Sequence, residues 1–207
     1  MKIGICGGTF DPFHRGHLEP VLAVREEMEW SSILYIPAYR QPFKNENDSV
    51  SGYHRFAMAV LATEALDGVS VSSRELDRGK VSYTVDTLRE LRALYPEATL
   101  DCVIGDDNLA RLHEWKDLDG IFELANFVVL TRQHGAQALL PARIGKSACP
   151  PKNRSTHGNI AFAENVTVPI SSTQIRSRVR AGQPINDLVD ARVSRYIQQN
   201  GLYREAQ

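Results

Sequence analysis

The sequence predicts an α/β fold, a doubly wound, mostly parallel sheet with helices on both faces. Short runs rich in Val, Ile and Leu recur along the 207 residues, and between them lie longer segments whose apolar residues fall at helical spacing. The composition fits: 43% hydrophobic residues and a formal net charge of −1 describe an ordinary globular chain, long enough to bury a core without disulfides or a structural metal.

Taken in order, the apolar runs are Lys2–Cys6, Ile33–Pro37, Val69–Ser72, Thr99–Ile104, Phe127–Leu130 and Val166–Pro169. Each is short and bounded by polar or turn residues, as a strand buried on both faces should be. A helix is expected over His17–Glu29. Tyr53, Phe56, Ala57, Val60 and Leu61 form a second helical stripe, and Val85, Leu88 and Leu91 a third. From His134 to Gly158 the pattern lapses into Gly, Pro, Ser and Lys, which predicts a surface excursion before the last strand. Residues 171–207 read as a C-terminal helical part of the same domain, so the chain is expected to be one domain over 1–207. There Val189, Val193, Tyr196 and Ile197 make a stripe, with Gly201 placed as a capping glycine. Strand alternating with helix implies right-handed crossovers and a Rossmann-like sheet, whose ligands bind beyond the carboxyl ends of the strands where strand order reverses.

Charge and cysteine content narrow the function classes. With 24 Lys plus Arg against 25 Asp plus Glu, the chain lacks the positive excess that coats nucleic acid, so no nucleic-acid partner is expected. No run approaches the ~18 apolar residues of a membrane span. Gly7, Gly8, Thr9 and Asp11 interrupt the apolar start before a signal-peptide core could form. Cys6, Cys102 and Cys149 stand far apart, without zinc or redox spacing. A cytoplasmic protein is expected. Its oligomeric state is left open, a homo-oligomer included.

The loop after the first strand, Gly7-Gly8-Thr9-Phe10-Asp11-Pro12-Phe13-His14-Arg15-Gly16-His17, has anion-binding chemistry. Gly7 and Gly8 let a backbone with exposed N–H groups approach a ligand, and the next helix turns its positive end to the same place. His14 and His17, three apart, lie on one face and can both donate to phosphate oxygens. The same pair could be half of a metal site, but no third ligand lies nearby, and no protein metal site is assigned. The loop has neither G-x-G-x-x-G nor a P-loop Lys-Ser/Thr. Near the other end of the chain, Ile170-Ser171-Ser172-Thr173-Gln174-Ile175-Arg176 offers a capped helix start carrying an arginine. Taken alone it is also an ordinary N-cap with a solvated arginine. Lys44, on the proline-stiffened loop after the second strand, adds a third positive group.

GGTFDPFHRGH resembles the nucleotidyltransferase signature, and ISSTQIR is similar to that superfamily's second signature. The resemblance implies that Gly7, Gly8, Thr9, Phe10, His14, His17, Gly105, Asp107, Ser172, Thr173 and Arg176 bind ATP. His14, His17, Lys44 and Arg176 would then act in catalysis, with Mg²⁺ as the cofactor. Ser82-Tyr83-Thr84 predicts a helix start suited to a carboxylate, and Trp115 suits a flat ring; read alone, they are an N-cap and a core tryptophan. The SYTVDTL core and the stretches GDDNLARLHEWKDL and LANFVVLTR resemble bacterial nicotinate mononucleotide adenylyltransferase, and the likeness covers most of the chain. It implies that Tyr83, Thr84, Trp115 and Arg132 bind the mononucleotide, and that ATP and nicotinate mononucleotide are the substrates.

Two departures stand out. The family's Pro-His-Lys reads Pro42-Phe43-Lys44, and its Arg-Pro-Gly reads Arg132-Gln133-His134-Gly135. The competing readings are an adenylyltransferase for nicotinamide mononucleotide or phosphopantetheine, and a non-catalytic nucleotide-binding module. Arg132, Arg143, Lys146, Lys152 and Arg154, with no acidic residue among them from 132 to 158, read either as a positive field that gathers substrates or as a solvated loop.

Overall fold

A computed structural model describes residues 1–42, 49–131, 148–164 and 166–204. Six strands form one sheet in the order β3-β2-β1-β4-β5-β6: β1 (Lys2–Gly8), β2 (Ser32–Pro37), β3 (Val69–Val71), β4 (Thr99–Gly105), β5 (Asn126–Thr131) and β6 (Ile160–Glu164). Every pairing is parallel. The order reverses between β1 and β4, because β2 and β3 build to one side of β1 while β4 to β6 build to the other.

Side-chain alternation along the strands divides the core in two. Cys6, Ile33, Tyr35, Val103 and Val128 face a layer containing α1 (Arg15–Ala23), α2 (Gly52–Thr63), α6 (Ser172–Arg180) and α7 (Ala191–Gln199). Ile3, Ile5, Leu100, Cys102, Ile104 and Phe127 face α4 (Thr84–Leu94) and α5 (Leu118–Leu124). Val85, Leu88 and Leu91 are fully buried at the expected spacing. The short α3 (Arg74–Arg78) leads toward α4, and a 3₁₀ segment, Asp106–Glu114, leaves β4 toward α5. The Gly201 cap forms as expected: Gly201 has φ 61°, and the Leu202 N–H reaches the Ile197 carbonyl at 3.0 Å.

Four expectations need correction. The last strand is Ile160–Glu164, not Val166–Pro169. Its inward Ala161 and Ala163 give little apolar signal, whereas Val166, 58% exposed, carries the composition of a strand without being one. The first helix begins at Arg15 and is regular only to Ala23, after which a run of turns reaches Glu29. Glu29 has φ 54°, and the Trp30 N–H closes on the Arg25 carbonyl at 3.0 Å. In α2 the buried face is Arg55, Met58, Ala59, Ala62 and Thr63, and Tyr53 is exposed. Small Ala59 and Ala62 allow close packing, and Arg55 turns inward to main-chain carbonyls, so the larger apolar residues flank the contact.

The fourth correction concerns the excursion. Residues 132–147 lie outside the described residues, but 148–158 are anchored rather than loosely solvated. The Cys149 N–H pairs with the Ile160 carbonyl at 2.9 Å. The Arg154 side chain is completely buried and donates to Asp101 through Nε at 2.9 Å and Nη2 at 2.7 Å. Arg154 therefore contributes to no surface field. Asp101 also accepts from Trp30 Nε1 at 2.7 Å and Asn126 Nδ2 at 2.9 Å. This network joins β4, β5, the turn before β2 and the segment before β6.

Removing one member of a buried ion pair leaves the other charge without compensation. Asp101→Ala is therefore expected to lower stability by about 3–5 kcal/mol, read as a shift in the urea unfolding midpoint. A loss below about 1 kcal/mol, the scale of an exposed pair, would contradict the account.

Candidate functional site

Beyond the carboxyl ends of β1 and β4, where strand order reverses, lies a cleft of about 410 Å³. Gly7 and Gly8 line one side, Gly105 and Asp107 another, and Tyr83, Thr84 and Trp115 a third. Residues expected to contact two different substrates thus share one cavity. Thr84 opens α4 with Tyr83 as its N-cap, so the first-turn N–H groups of that helix lie at the cleft wall. Trp115 is half-buried, its ring packed edge-on against Phe127 with centroids 5.8 Å apart. Lys116 Nζ lies 4.4 Å from the Tyr83 ring centroid and 3.0 Å from Asp86.

The glycines meet different demands. A Cβ on Gly8 would stand 2.7 Å from the Phe10 ring, so the strand end can pass only without a side chain. A Cβ on Gly7 would meet nothing within 4 Å, because that position opens toward the cleft. Phe10 lies beneath the loop. Its side chain is only 5% exposed and packs on Phe13, His17 and Tyr35 with centroids 5.0–5.9 Å apart. Its ring supports the loop from beneath and is not among the cleft-lining residues.

The paired histidines are held by that aromatic floor. His14 and His17 stack with ring centroids 3.7 Å apart, and Phe13 lies 5.5 Å from His17. His17 Nδ1 accepts the His14 backbone N–H at 3.3 Å. A neutral His17 ring consequently carries its proton on Nε2, which makes Nε2 the donor. Tyr35 Oη donates to the His17 carbonyl at 3.1 Å and fixes the first turn of α1 from below.

The two chain ends meet at this loop. Ser171 is the N-cap of α6, accepting the Gln174 N–H at 3.2 Å, while the Ser172 hydroxyl donates to the Pro12 carbonyl at 3.1 Å. Arg176 Nη1 donates to the Asp11 carbonyl at 2.7 Å and lies 3.8 Å from its carboxylate. Arg176 Nη2 reaches Thr173 Oγ1 at 3.4 Å. The structure thus brings Gly7, Gly8, Thr9, His14, His17, Ser172, Thr173 and Arg176 into one neighbourhood of two helix starts. Lys44 and Arg132 lie outside the described residues.

Several residues with a part in the site carried no role in the sequence reading. Buried Arg55 donates to the Thr9 carbonyl at 2.6 Å, to Val50 at 3.3 Å and to Tyr39 at 3.5 Å. An arginine within the apolar stripe of a helix was the available signal. Asp11 stands inside the quoted motif, and Tyr203 donates to its Oδ1 at 2.7 Å. Glu75 lines the cleft, only 6% exposed, and accepts from Thr87 Oγ1 at 2.5 Å. Cys102 lies in the cleft wall, where burial first, and then the Glu75 and Asp101 carboxylates, push its pKa up to about 12. It is no thiolate nucleophile at neutral pH.

A parallel doubly wound sheet with a cleft at the switch point, continued through Gly7 and Gly8 into a loop that meets two helix starts rich in anion donors, defines a nucleotide-handling α/β protein; His14, His17, Ser172 and Arg176 stand at those helix starts and are not among the cleft-lining residues. The chain belongs to the cytidylyltransferase-like family, which it matches over residues 5–178. Curated relatives include a protein of Thermoanaerobacter sp. (strain X514), 37% identical over 99% of this chain and 95% of its own length. Another is from Streptomyces coelicolor, 39% identical over 96% of this chain and 98% of its own. Both carry the description "probable nicotinate-nucleotide adenylyltransferase". Among solved structures, the Plasmodium falciparum nicotinic acid mononucleotide adenylyltransferase complexed with NaAD superposes with a TM-score of 0.70. Its identity is 20%, over 98% of this chain and 97% of that one, and it shares the fold.

Burial raises the Glu75 pKa above its ordinary 4.5, outweighing its hydrogen bonds from Thr87 and Ser82 and the nearby Arg78. The native state then holds a proton that the unfolded chain releases, so this group's effect on stability worsens as pH rises through and above 4.5. Glu75→Gln removes the titration while keeping an acceptor for Thr87. Its stability relative to the parent protein is expected to improve as pH rises from about 4.5 toward neutrality, measured by urea midpoints. A difference constant with pH would contradict this.

Proposed function

We propose that this chain transfers the adenylyl group of ATP to the 5′-phosphate of nicotinate mononucleotide, giving nicotinate adenine dinucleotide and pyrophosphate in NAD biosynthesis. The observation that carries the reading is the single cleft shared by the phosphate loop (Gly7, Gly8) and the helix start with Tyr83, Thr84 and Trp115. Relatives that align over nearly the full chain bear the corresponding name. Residues 1–207 would act as one catalytic domain. Among the described residues no helix is long and apolar enough to cross a membrane, and cytoplasmic enzyme chemistry on two small-molecule substrates is the reading we adopt.

A phosphate oxygen of the mononucleotide attacks the α-phosphorus of ATP in line. The new P–O bond forms as the bond from the α-phosphorus to the α–β bridging oxygen breaks, and that oxygen leaves with pyrophosphate. The nucleophile is already ionised at pH 7, so no general base is required and catalysis falls to positioning and charge stabilisation. His17 donates from Nε2 to charge that builds on the phosphates; His14, the start of α6 and Arg176 hold the remainder of the triphosphate, with Lys44 and Arg132 as further cations. First-turn N–H groups of α4 receive the nicotinate carboxylate, and Trp115 stacks on the pyridine ring.

Mg²⁺ would enter with ATP, and it fits a site of this kind. Mg²⁺ commonly takes most of its ligands from phosphates and water, with one or two carboxylates, and Asp107 is a carboxylate in the cleft wall. When bound, it offsets phosphate charge.

The test is an assay of purified protein with ATP, Mg²⁺ and a panel of acceptors. Pyrophosphate should appear only when ATP and an acceptor are both present, with a higher kcat/KM for nicotinate mononucleotide than for nicotinamide mononucleotide or phosphopantetheine. A better rate with either rival would reassign the acceptor, and ATP binding without turnover would indicate a silent module. His17→Ala should lower kcat by roughly 10²–10³-fold, the scale of losing one preorganised donor. Unchanged turnover in the folded variant would reject that role.

A further inference from the structure

Tyr203, near the C-terminus, is remote in sequence from every substrate-facing residue, yet it reaches the first loop. It follows the Gly201 turn and has φ 62°, a left-handed conformation that a non-glycine residue holds only when its surroundings fix it. Its side chain is buried, 8% exposed, and its hydroxyl donates to Asp11 Oδ1 at 2.7 Å. Burial and the Asp11 carboxylate both raise the phenol's pKa, so it remains a donor throughout the neutral range. Asp11 is itself only 4% exposed. Its other oxygen lies 3.8 Å from Arg176 Nη1, which also donates to the Asp11 main chain at 2.7 Å.

We propose that Tyr203 is a positioning residue for the nucleotide site: its hydroxyl clamps the Asp11 carboxylate, and Asp11 in turn aims the Arg176 guanidinium at the bound triphosphate. The inference rests on the function proposed above, since it requires Arg176 to face a polyphosphate. The physical reason for the clamp lies in Arg176 itself. Its long side chain has many rotamers and is 22% exposed. Holding it in one orientation before ATP arrives removes an entropic cost from binding and from the transition state. The main-chain bond anchors Arg176 Nη1, and the Asp11 carboxylate, 3.8 Å away, supplies the charge that orients the guanidinium; among the described contacts of that carboxylate the tyrosine hydroxyl is the shortest and fixes where the charge stands.

Tyr203→Phe deletes the hydroxyl and keeps the ring. At a temperature where the variant is fully folded, kcat/KM for ATP should fall about tenfold, while KM for nicotinate mononucleotide stays within twofold. Asp11→Asn, which retains an acceptor oxygen but not the charge, should show a similar loss. Adding Tyr203→Phe to it should then cost less than a further twofold, because both changes break one chain of contacts. Tyr196→Phe is the control: Tyr196 Oη pairs with His54 Nδ1 at 2.9 Å, tying α7 to α2, and among the described contacts it touches neither Asp11 nor Arg176. It removes a comparable hydrogen bond and should leave kcat/KM for ATP unchanged.

The proposal fails if folded Tyr203→Phe keeps its ATP kcat/KM within twofold of the parent, or if the two losses add in full. It also fails if Tyr196→Phe reproduces the loss, which would make the effect one of general stability. Parent protein that releases no pyrophosphate with ATP and the mononucleotide overturns the function reading instead. In that event the ATP dissociation constant from calorimetry, parent against Tyr203→Phe, still reads the clamp.

Discussion

The capture of the first loop's carbonyl groups by side chains from later in the chain is the constraint on which the site depends. Arg55 holds the Thr9 carbonyl, Arg176 that of Asp11 and Ser172 that of Pro12. A loop after a parallel strand ordinarily bonds to water and remains mobile. Here its acceptors are satisfied by the protein, and the conformation is fixed before any ligand arrives. The reaction we assign needs no base and no covalent intermediate, so a rate advantage has to come from prearranged donors, and those donors have to be rigid to be effective. The aromatic floor of Phe10, Phe13 and Tyr35 serves the same end for His17.

Sheet topology explains why the captors come from where they do. α1, α2, α6 and α7 all lie on one face, and the loop after β1 emerges at the edge of that layer. α1 begins in this loop, α2 and α6 reach it through Arg55, Ser172 and Arg176, and Tyr203, beyond the end of α7, reaches Asp11. The other face, built from α4, α5 and the 3₁₀ segment after β4, supplies the Tyr83, Thr84 and Trp115 wall. In the reaction we propose, one face would shape the phosphate side and the other the acceptor side, meeting at the switch point between β1 and β4.

Much of this was legible in the sequence, for physical reasons that differ between elements. Strands β1, β2, β4 and β5 announce themselves because burial on both faces demands apolar runs, while β3, a short edge strand that is only partly buried, shows through Val69 and Val71 alone. β6 does not: Ala161 and Ala163 satisfy a crowded inner face with small side chains, and the louder Val166–Pro169 lies outside the sheet. The α2 face was misjudged by hydrophobicity alone, since the helix turns a buried arginine inward, toward carbonyls that only the folded chain places there. Arg154 and Asp101 illustrate the same blindness, because a charge reads as solvated until its partner, far along the chain, is known. In the site, motif spacing located the loop after β1 and the α6 start, each of which is a local structure. It could not locate Asp11, Arg55 or Tyr203 as supports, because their roles exist only through contacts between distant parts of the chain.

Phe10 shows how a local motif and a tertiary role become entangled. Within the signature it reads as a ligand contact, yet its ring fills the space under Gly8 and against His17. The glycine and the phenylalanine are thus one device: the missing Cβ admits the ring, and the ring supports the imidazole of His17. Enlarging Gly8 would move Phe10 before it touched any substrate, and the damage would arrive at His17. A motif of this kind is specific because its positions constrain one another sterically, apart from any contact that they make with a ligand.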